Sequence, residues 1–200
     1  MISKLITRGA EARIFLDNSV ILKQRVQKSY RHHDLDKKIR IRRTRSEAKL
    51  IQKSFSLNIN VPKVLSVNPF EIEIEFIDGN QLSQTLNDYP ESKQFQVMKK
   101  VGEQTAKLHQ NSIIHGDLTT SNMILKDSQI FLIDFGLGFI SAKIEDKAVD
   151  IHLIKQALEA KHFQNHEELF QNFLKGYKWK DSKKVIERLK VVEKRGRYKH

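Results

Sequence analysis

The alternation of apolar and polar residues divides the chain into two parts with different predicted secondary structure. Up to about residue 77, short stretches with a period of two predict β-strands, interrupted by one basic stretch with helical spacing. The clearest is 71–76, where three glutamates alternate with Ile72, Ile74 and Phe76, as in a strand with one face in water. The predicted strands are 3–7, 12–16, 20–26, 64–67 and 71–76, and the helical stretch is 30–57.

Beyond residue 78 the apolar spacing becomes that of helices. A helix at 92–110 is predicted by side chains that recur every three or four residues: Phe95, Met98, Val101, Thr105 and Leu108. Further expected elements are strands at 123–125 and 130–133 and helices at 148–160, 166–176 and 182–193. We therefore predict an α+β chain with a β-rich N-terminal lobe at 1–77, a reduced, mainly helical C-terminal lobe at 78–192 and a basic tail at 193–200.

Composition limits the class of protein. With 39% hydrophobic residues, 30% charged residues and only 3 Pro in 200 residues, the chain should fold rather than remain disordered. Because it has no Cys, a disulfide scaffold, a disulfide-linked partner and a thiolate metal site are excluded. The N-terminus is too charged for a secretory signal, and the longest apolar window, 130–140, is too short to cross a bilayer. We expect a cytoplasmic protein without membrane contact.

Charge is distributed unevenly along the chain. The net charge is +12, and 12 basic against 3 acidic residues lie between Lys23 and Lys53, with 11 against 3 between Lys175 and His200. Two basic segments are typical of a surface that binds a polyanion such as RNA. Lys and Arg side chains that contact phosphates release counterions, and this release favours binding. Solvated helix faces are the alternative, and the first segment could also contact an acidic protein partner.

Candidate chemistry is concentrated between residues 115 and 136. The stretch His115-Gly116-Asp117-Leu118-Thr119-Thr120-Ser121-Asn122 is followed by Ile133-Asp134-Phe135-Gly136. This spacing suits phosphoryl transfer from ATP: Asp117 would accept the proton of an attacking hydroxyl or water, and Asn122 and Asp134 would hold Mg²⁺ against the triphosphate. Each fragment alone is a common turn, but their order favours the catalytic interpretation.

A kinase site also needs a strand lysine and a helix glutamate. Lys23 lies in the third predicted strand, and Glu47 is the one acid between Lys37 and Lys53 in the basic helical stretch. An ion pair between them would fix Lys23 on the α- and β-phosphates.

Together these motifs resemble the small atypical protein kinases of the KEOPS complex, which are PRPK-type, RIO-like kinases. The resemblance covers almost the whole chain and implies a two-lobed protein-kinase-like fold with ATP in the cleft and Mg²⁺ as cofactor. It implies a Ser/Thr protein kinase or ATPase that supports threonylcarbamoyladenosine modification of tRNA, with the threonylcarbamoyl-transferring subunit, the other KEOPS subunits and tRNA as partners. The pieces that carry it are Gly9-Ala10-Glu11-Ala12, Tyr30-Arg31, Leu35-Asp36, Arg43-Thr44, Glu47-Ala48, the two motifs above with Leu137-Gly138, the stretch 145–150, and Arg195-Gly196-Arg197.

Further site residues are implied by the resemblance. The backbone around Gly9, Ala10 and Ala12 would contact phosphates, with Glu11 an unfavourable neighbour for an anion, and the backbone of Glu75 and Ile77 would bind adenine. His115 would support the loop, and Asp150 would anchor it from behind or would simply be an acid at a helix start. In the basic tail, we expect RNA contacts from Arg195, Arg197 and Lys199.

Departures from ordinary protein kinases leave two alternatives. Thr119 replaces the usual lysine, and no Ala-Pro-Glu follows Asp134-Phe135-Gly136, so we expect poor activity toward free proteins and allow for ATP hydrolysis. One alternative is an independent RIO-like kinase with its own substrate. The other is a pseudokinase that scaffolds RNA and protein.

Overall fold

The computed structural model describes the backbone of residues 4–9 and 11–197, and their side chains except at 8, 196 and 197. The chain forms two units, Met1–Asp78 and Gly79–His200. The described part of the first unit is a β-sheet with one long helix, and that of the second is mainly helical. The predicted α+β class, with a β-rich N-terminal region and a helical C-terminal region, is confirmed.

The first unit contains a five-stranded antiparallel sheet in the order β1-β2-β3-β5-β4. The turn between β2 and β3 is Asn18-Ser19, where Asn18 has φ 46°, a left-handed conformation that asparagine tolerates. The predicted meander is confirmed with shifts of one or two residues. The strands are β1 Lys4–Arg8, β2 Ala12–Asp17, β3 Val20–Arg25, β4 Val64–Val67 and β5 Glu71–Glu75.

Helix α1, His33–Ser56, packs against β4 and β5. Its buried positions Thr44, Glu47, Ala48 and Ile51 recur at intervals of three and four, which is the spacing of one helix face. Glu47 therefore lies among apolar neighbours on the side of the helix that packs, while most of the basic residues of α1 face water.

The second unit consists of helices with two small sheets. One sheet has the order β6-β8-β9, and the other pairs β10 with β7. Short 3-10 helices lie at Leu86–Asp88 and Thr120–Asn122. The remaining elements are β6 Asn80–Gln81, α2 Leu82–Thr85, α3 Glu91–Gln110, β7 Ile113–Ile114, β8 Met123–Lys126, β9 Gln129–Leu132, β10 Phe139–Ile140, α4 Ile144–Lys161, α5 His166–Gly176 and α6 Ser182–Arg197.

Helices α3 and α5 touch through their backbones. A Cβ added at Gly102 would meet the carbonyl oxygen of Phe173, and one added at Gly176 would meet the carbonyl oxygen of Lys99. The side chains around this crossing are packed tightly, and the rings of Phe173 and Tyr177 stack with centroids 5.9 Å apart. This crossing fixes α3, from which the chain enters β7 and the segment 115–122.

Several element boundaries differ from those predicted. Helix α4 begins at Ile144 rather than at 148, because Glu145 and Asp146 stabilise its first turn. Helix α6 continues to Arg197, so the start of the predicted basic tail is helical. Strands β6, β7 and β10 have two residues each and carry no periodicity that a sequence pattern could reveal.

Candidate active site

The first unit places a buried carboxylate between two cations. Lys23 on β3 donates from Nζ to Oε1 of Glu47 at 2.7 Å, so the two residues predicted to pair are in contact. Arg25 donates from Nη2 to the other oxygen, Oε2, at 2.5 Å. The exposed fractions of the three side chains are 10%, 5% and 2% for Lys23, Arg25 and Glu47. Sequence reasoning missed Arg25, although it lies two residues after Lys23 and so shares its strand face.

The segment that the resemblance places against phosphates is tied to α1. The Gly9 N–H donates to the Ala12 carbonyl oxygen at 3.0 Å, so this donor is already used within the loop. Glu11 accepts a hydrogen bond from Arg43 at 2.8 Å and lies 4.0 Å from Arg31. The negative charge of Glu11 is therefore balanced by two arginines, which the sequence did not predict. Ala10 lies outside the described residues.

The two residues predicted to bind adenine lie at the end of the first unit. Glu75 is the last residue of β5, its N–H donates to the carbonyl oxygen of Lys63 at 2.9 Å, and it pairs with Val20 of β3. Ile77 is buried, with 3% of its surface exposed. Their contact with adenine stays a prediction.

In the second unit, the loop 115–122 connects β7 to β8. Asn122 donates from Nδ2 both to the backbone oxygen of Asp117 and to its carboxylate Oδ2, each at 2.9 Å. Gly116 has φ +78°, and a Cβ there would collide with the carbonyl oxygen of Leu137. Glycine is therefore required where this loop passes the segment that follows Asp134.

Asp134 follows β9 in an unusual backbone conformation. Its φ is +62°, and its Oδ1 accepts the N–H of Gly136 at 3.1 Å. The N–H of Ile133 donates to the carbonyl oxygen of Asn122 at 3.0 Å, so the chain leading into Asp134 runs beside Asn122. Strain of this kind in a non-glycine residue is typical of functional sites.

The donor set of the second unit fits a magnesium ion held together with a phosphate. Because the Asn122 NH₂ group is used by Asp117, its carbonyl oxygen is the part of the amide that remains to face a cation. Mg²⁺ is usually bound by one or two carboxylates plus substrate phosphates rather than by a protein cage. The described residues contain no cluster of three or more His, Asp or Glu side chains that could hold a metal by itself.

Asp150 holds the loop from behind. Its carboxylate accepts the backbone N–H groups of His115 and Gly116, at 2.7 and 2.9 Å, and lies 3.2 Å from His109 Nε2. Of the two interpretations left open, the helix-start acid is wrong: Asp150 is the seventh residue of α4 and is fully buried. His109, on α3, was missed because a lone histidine at a helical core position carries no distinctive pattern.

The protonation states in this cluster follow from its hydrogen bonds. His115 Nε2 donates to the Ile133 carbonyl oxygen at 3.1 Å, and Nδ1 accepts the N–H of Asp117 at 3.3 Å, which defines the neutral tautomer. Burial lowers the pKa of His115 below its usual value. Burial alone would raise the pKa of Asp150, but the hydrogen bond from His109 and the backbone donors hold that pKa below its ordinary value. His115 is thus neutral and Asp150 ionised near neutral pH.

The predicted RNA-contact residues lie at the C-terminus. Arg195 donates to Oε1 of Glu145 at 2.9 Å, and Arg188 contacts the other oxygen of the same carboxylate. Arg195 nevertheless remains 63% exposed. The side chain of Arg197 and the whole of Lys199 lie outside the described residues.

Comparison with solved structures defines the class of fold. Over 96% of this chain and 82% of the other, the structure matches the streptomycin–ATP ternary complex of APH(2")-IIa with a TM-score of 0.70 and 14% identity. It matches the complex of Rio2 kinase from Chaetomium thermophilum with ADP/Mg²⁺ and phosphoaspartate with a TM-score of 0.63 and 13% identity, over 98% and 72% of the two chains. The fold is that of protein-kinase-like phosphotransferases.

Sequence comparison narrows this class to a family. The RIO domain model matches residues 11–145, and the chain belongs to the RIO family of atypical kinases. The KEOPS complex subunit Bud32 of Pyrococcus abyssi is 39% identical over 98% of this chain and 96% of that protein. The probable serine/threonine-protein kinase BUD32 homolog of Archaeoglobus fulgidus is also 39% identical, over 95% and 94%.

A second group of relatives is longer. The probable bifunctional tRNA threonylcarbamoyladenosine biosynthesis protein of Methanosarcina barkeri is 36% identical over 98% of this chain, which spans only 36% of that protein.

In the described part of this chain, no helix is long and apolar enough to cross a bilayer.

Proposed function

We propose that this chain is a Mg²⁺-dependent phosphotransferase or ATPase that acts as a Bud32-type subunit of a KEOPS complex and supports threonylcarbamoyladenosine modification of tRNA. The observation that carries the proposal is the double hydrogen bond from Asn122 to Asp117. It fixes in one loop a candidate base and a candidate metal ligand, two of the groups that phosphoryl transfer requires.

The first unit would bind and orient ATP. Lys23, held by Glu47, would orient the α- and β-phosphates. Backbone groups in the segment from Gly9 through Ala10 to Ala12 would contact phosphates, and those of Glu75 and Ile77 would bind adenine. Because the Gly9 N–H is bound to Ala12, other donors of that segment would carry the phosphate contact.

The second unit would supply the reacting groups. Asp117 would accept the proton of the attacking hydroxyl or water, and its orientation is set by Asn122. Asn122 and Asp134 would hold Mg²⁺, which when bound neutralises charge that develops on the phosphate oxygens. His115 and Asp150 would keep the loop in place without touching the substrate, since both are bonded to its backbone.

The biological role is supported by the relatives. The Pyrococcus abyssi protein is named as a KEOPS subunit, and the Methanosarcina barkeri protein as a bifunctional enzyme of threonylcarbamoyladenosine biosynthesis. We propose for this chain the same assembly, with the threonylcarbamoyl-transferring subunit, other KEOPS subunits and tRNA as partners in the cytoplasm. Arg195, Arg197 and Lys199 would contribute RNA contacts, in keeping with the +12 net charge.

Radiolabelled ATP turnover tests the proposal. The wild type, Asp117→Ala and the control Asp88→Ala, which removes an exposed carboxylate from the same unit, are each measured with and without tRNA and the threonylcarbamoyl-transferring protein. We expect Asp117→Ala to lower turnover by at least about 100-fold, the usual contribution of a positioned base, while Asp88→Ala matches the wild type.

The pattern of stimulation separates the alternatives. Turnover that rises with tRNA and partner, and is lost in Asp117→Ala, supports the KEOPS role. Rapid phosphate transfer to a defined acceptor by the isolated chain would instead identify an independent RIO-like kinase. Equal ATP turnover by the wild type and Asp117→Ala would contradict the proposed chemistry and favour a scaffold.

A further inference from the structure

Glu47 is held by a different cation on each of its two oxygens. Lys23 Nζ lies 2.7 Å from Oε1, and Arg25 Nη2 lies 2.5 Å from Oε2. Only 2% of the Glu47 side chain is exposed, so its charge depends on these contacts for compensation. If one cation turned to another ligand, the other would be needed to keep the carboxylate paired.

Arg25 is held both by its backbone and by Glu47. Its own N–H donates to the carbonyl oxygen of Phe70 at 2.8 Å, and in the sheet it pairs with Ala12 of β2. The buried Nε of its guanidinium meets no acceptor in the described part of the chain, so the charge is paired through Nη2 and Glu47. The guanidinium of Arg25 therefore lies against α1 through its contact with Glu47.

Lys23 is the cation that the proposed function assigns to ATP. An ammonium group that donates to phosphate oxygens as well as to Glu47 shares its charge between them. Without a second cation, the buried Glu47 would then be compensated only by this shared charge, and α1 would be held less firmly against β3.

We propose that Arg25 is a positioning residue that keeps Glu47 and α1 in place while Lys23 engages the phosphates. The inference rests on the proposed function, because it needs Lys23 to contact ATP. Arg25 acts only through Glu47 and does not itself touch the nucleotide.

Binding of MgATP to the purified full chain tests this role. Isothermal titration gives the Kd for the wild type, Arg25→Met, Arg25→Lys, and the control Arg42→Met, which removes an exposed arginine from α1. We expect Arg25→Met to raise the Kd about tenfold. Arg25→Lys, which keeps the charge, should return it to within about threefold of wild type, and Arg42→Met should not change it. Circular dichroism confirms folding at the temperature used, and Arg25→Gln replaces Arg25→Met if the latter does not fold.

A double-mutant cycle with Glu47→Gln separates positioning from general damage. If Arg25 acts through Glu47, removing Arg25 in the Glu47→Gln background should change the Kd by less than about twofold. A full effect in both backgrounds, or a folded Arg25→Met with wild-type Kd, would overturn the inference. Different results would contradict the proposed function itself: a wild type that does not bind MgATP, or a Lys23→Met variant that binds MgATP as well as the wild type does.

Discussion

Glu11 is an acidic residue in a segment that is proposed to meet phosphates, and its environment explains how this is tolerated. Arg43 donates to its carboxylate at 2.8 Å, and Arg31 lies 4.0 Å away. All three side chains are partly exposed, so each pair contributes little to folding stability. The charges of these three side chains should affect the binding of a nearby triphosphate more than they affect folding stability. The reason is that each of them interacts with about four phosphate charges at once.

We predict that Arg43→Met weakens MgATP binding by about three- to tenfold, because Glu11 then loses the nearer of the two arginines that balance its negative charge. Adding Glu11→Gln to Arg43→Met should restore the wild-type Kd. Isothermal titration at low ionic strength measures both. Arg45→Met, which removes an exposed arginine from the same helix, is the control for net charge. An equal loss in Arg43→Met and Arg45→Met would show that the pairing with Glu11 has no specific role.

At the scale of single residues, sequence reasoning selected groups to which we assign a chemical task and missed the side chains that contact them. Lys23, Glu47, Asp117, Asn122 and Asp134 stand in motifs whose spacing is set by the chemistry. The partners Arg25, Arg43 and His109 lie 22, 32 and 41 positions from Glu47, Glu11 and Asp150. Such contacts are created by packing, and in a chain with 36 Lys and Arg no local pattern selects the arginine that will be used.

Helix α4 secures the loop 115–122 with one carboxylate, which makes that loop sensitive to acid. Asp150 has a pKa below its usual value in the folded chain, so it stabilises the fold above about pH 4 and loses this effect as the pH falls toward the lowered pKa. His115 also has a lowered pKa because it is buried and neutral. Below the unfolded value of 6.5, the unfolded chain takes up the proton more readily, and stability falls further.

We predict that the free energy of unfolding of the wild type falls steadily from pH 7 to pH 4. Asp150→Asn should lose about 2–4 kcal/mol at pH 7, because two backbone N–H groups and His109 lose an ionised acceptor, and its stability should depend less than that of the wild type on pH below about 4. Urea unfolding at pH 7, 5.5, 4 and 3 measures both quantities. Asp88→Asn, at an exposed position, should keep the wild-type profile. A parallel fall below pH 4 in Asp150→Asn would exclude Asp150 as the source of the acid sensitivity in that range.

At the scale of elements, strands of four or more residues and helix α3 were predicted well, and the two-residue strands were not predicted. Helix α3 and strand β5 follow their hydrophobic periods to within one residue. Strands β7 and β10 escaped prediction, because two-residue strands exist only where tertiary packing brings them together. They pair the residues before the loop 115–122 with those after Asp134, so the missed elements are ones that organise the candidate site.

For the whole molecule, the dominant feature is its positive charge, and one acidic residue restricts how the C-terminal part can use it. Glu145 receives both Arg188 and Arg195. These arginines face a carboxylate of the chain itself, so a polyanion must compete with Glu145 to bind them.

We predict that Glu145→Gln increases affinity for tRNA about three- to tenfold at low salt, because two arginines are released. The gain should shrink as salt is raised, since it comes from phosphate contacts. Filter binding at 50 and 200 mM salt measures the effect. Glu167→Gln removes the same charge from an exposed position with no such arginine pair and should change affinity by less than about twofold. Equal gains in the two variants would show that only net charge matters.

At this scale, the class of fold could be predicted because its motifs occur in a fixed order along the chain. The predicted separation into a β-rich and a helical region agrees with the arrangement of elements in the structure. The internal use of basic residues could not be predicted, because composition counts charges without showing which of them are already neutralised.

The crossing of α3 and α5 has a consequence for anyone who wishes to re-engineer this chain. Gly102 and Gly176 are 74 positions apart in the sequence, yet each occupies the space against a carbonyl oxygen of the opposite helix. A methyl group at either one must push the two helices apart along their whole contact, and a second substitution cannot relieve the first. Grafts, circular permutations and consensus designs of the helical unit should therefore retain both glycines together.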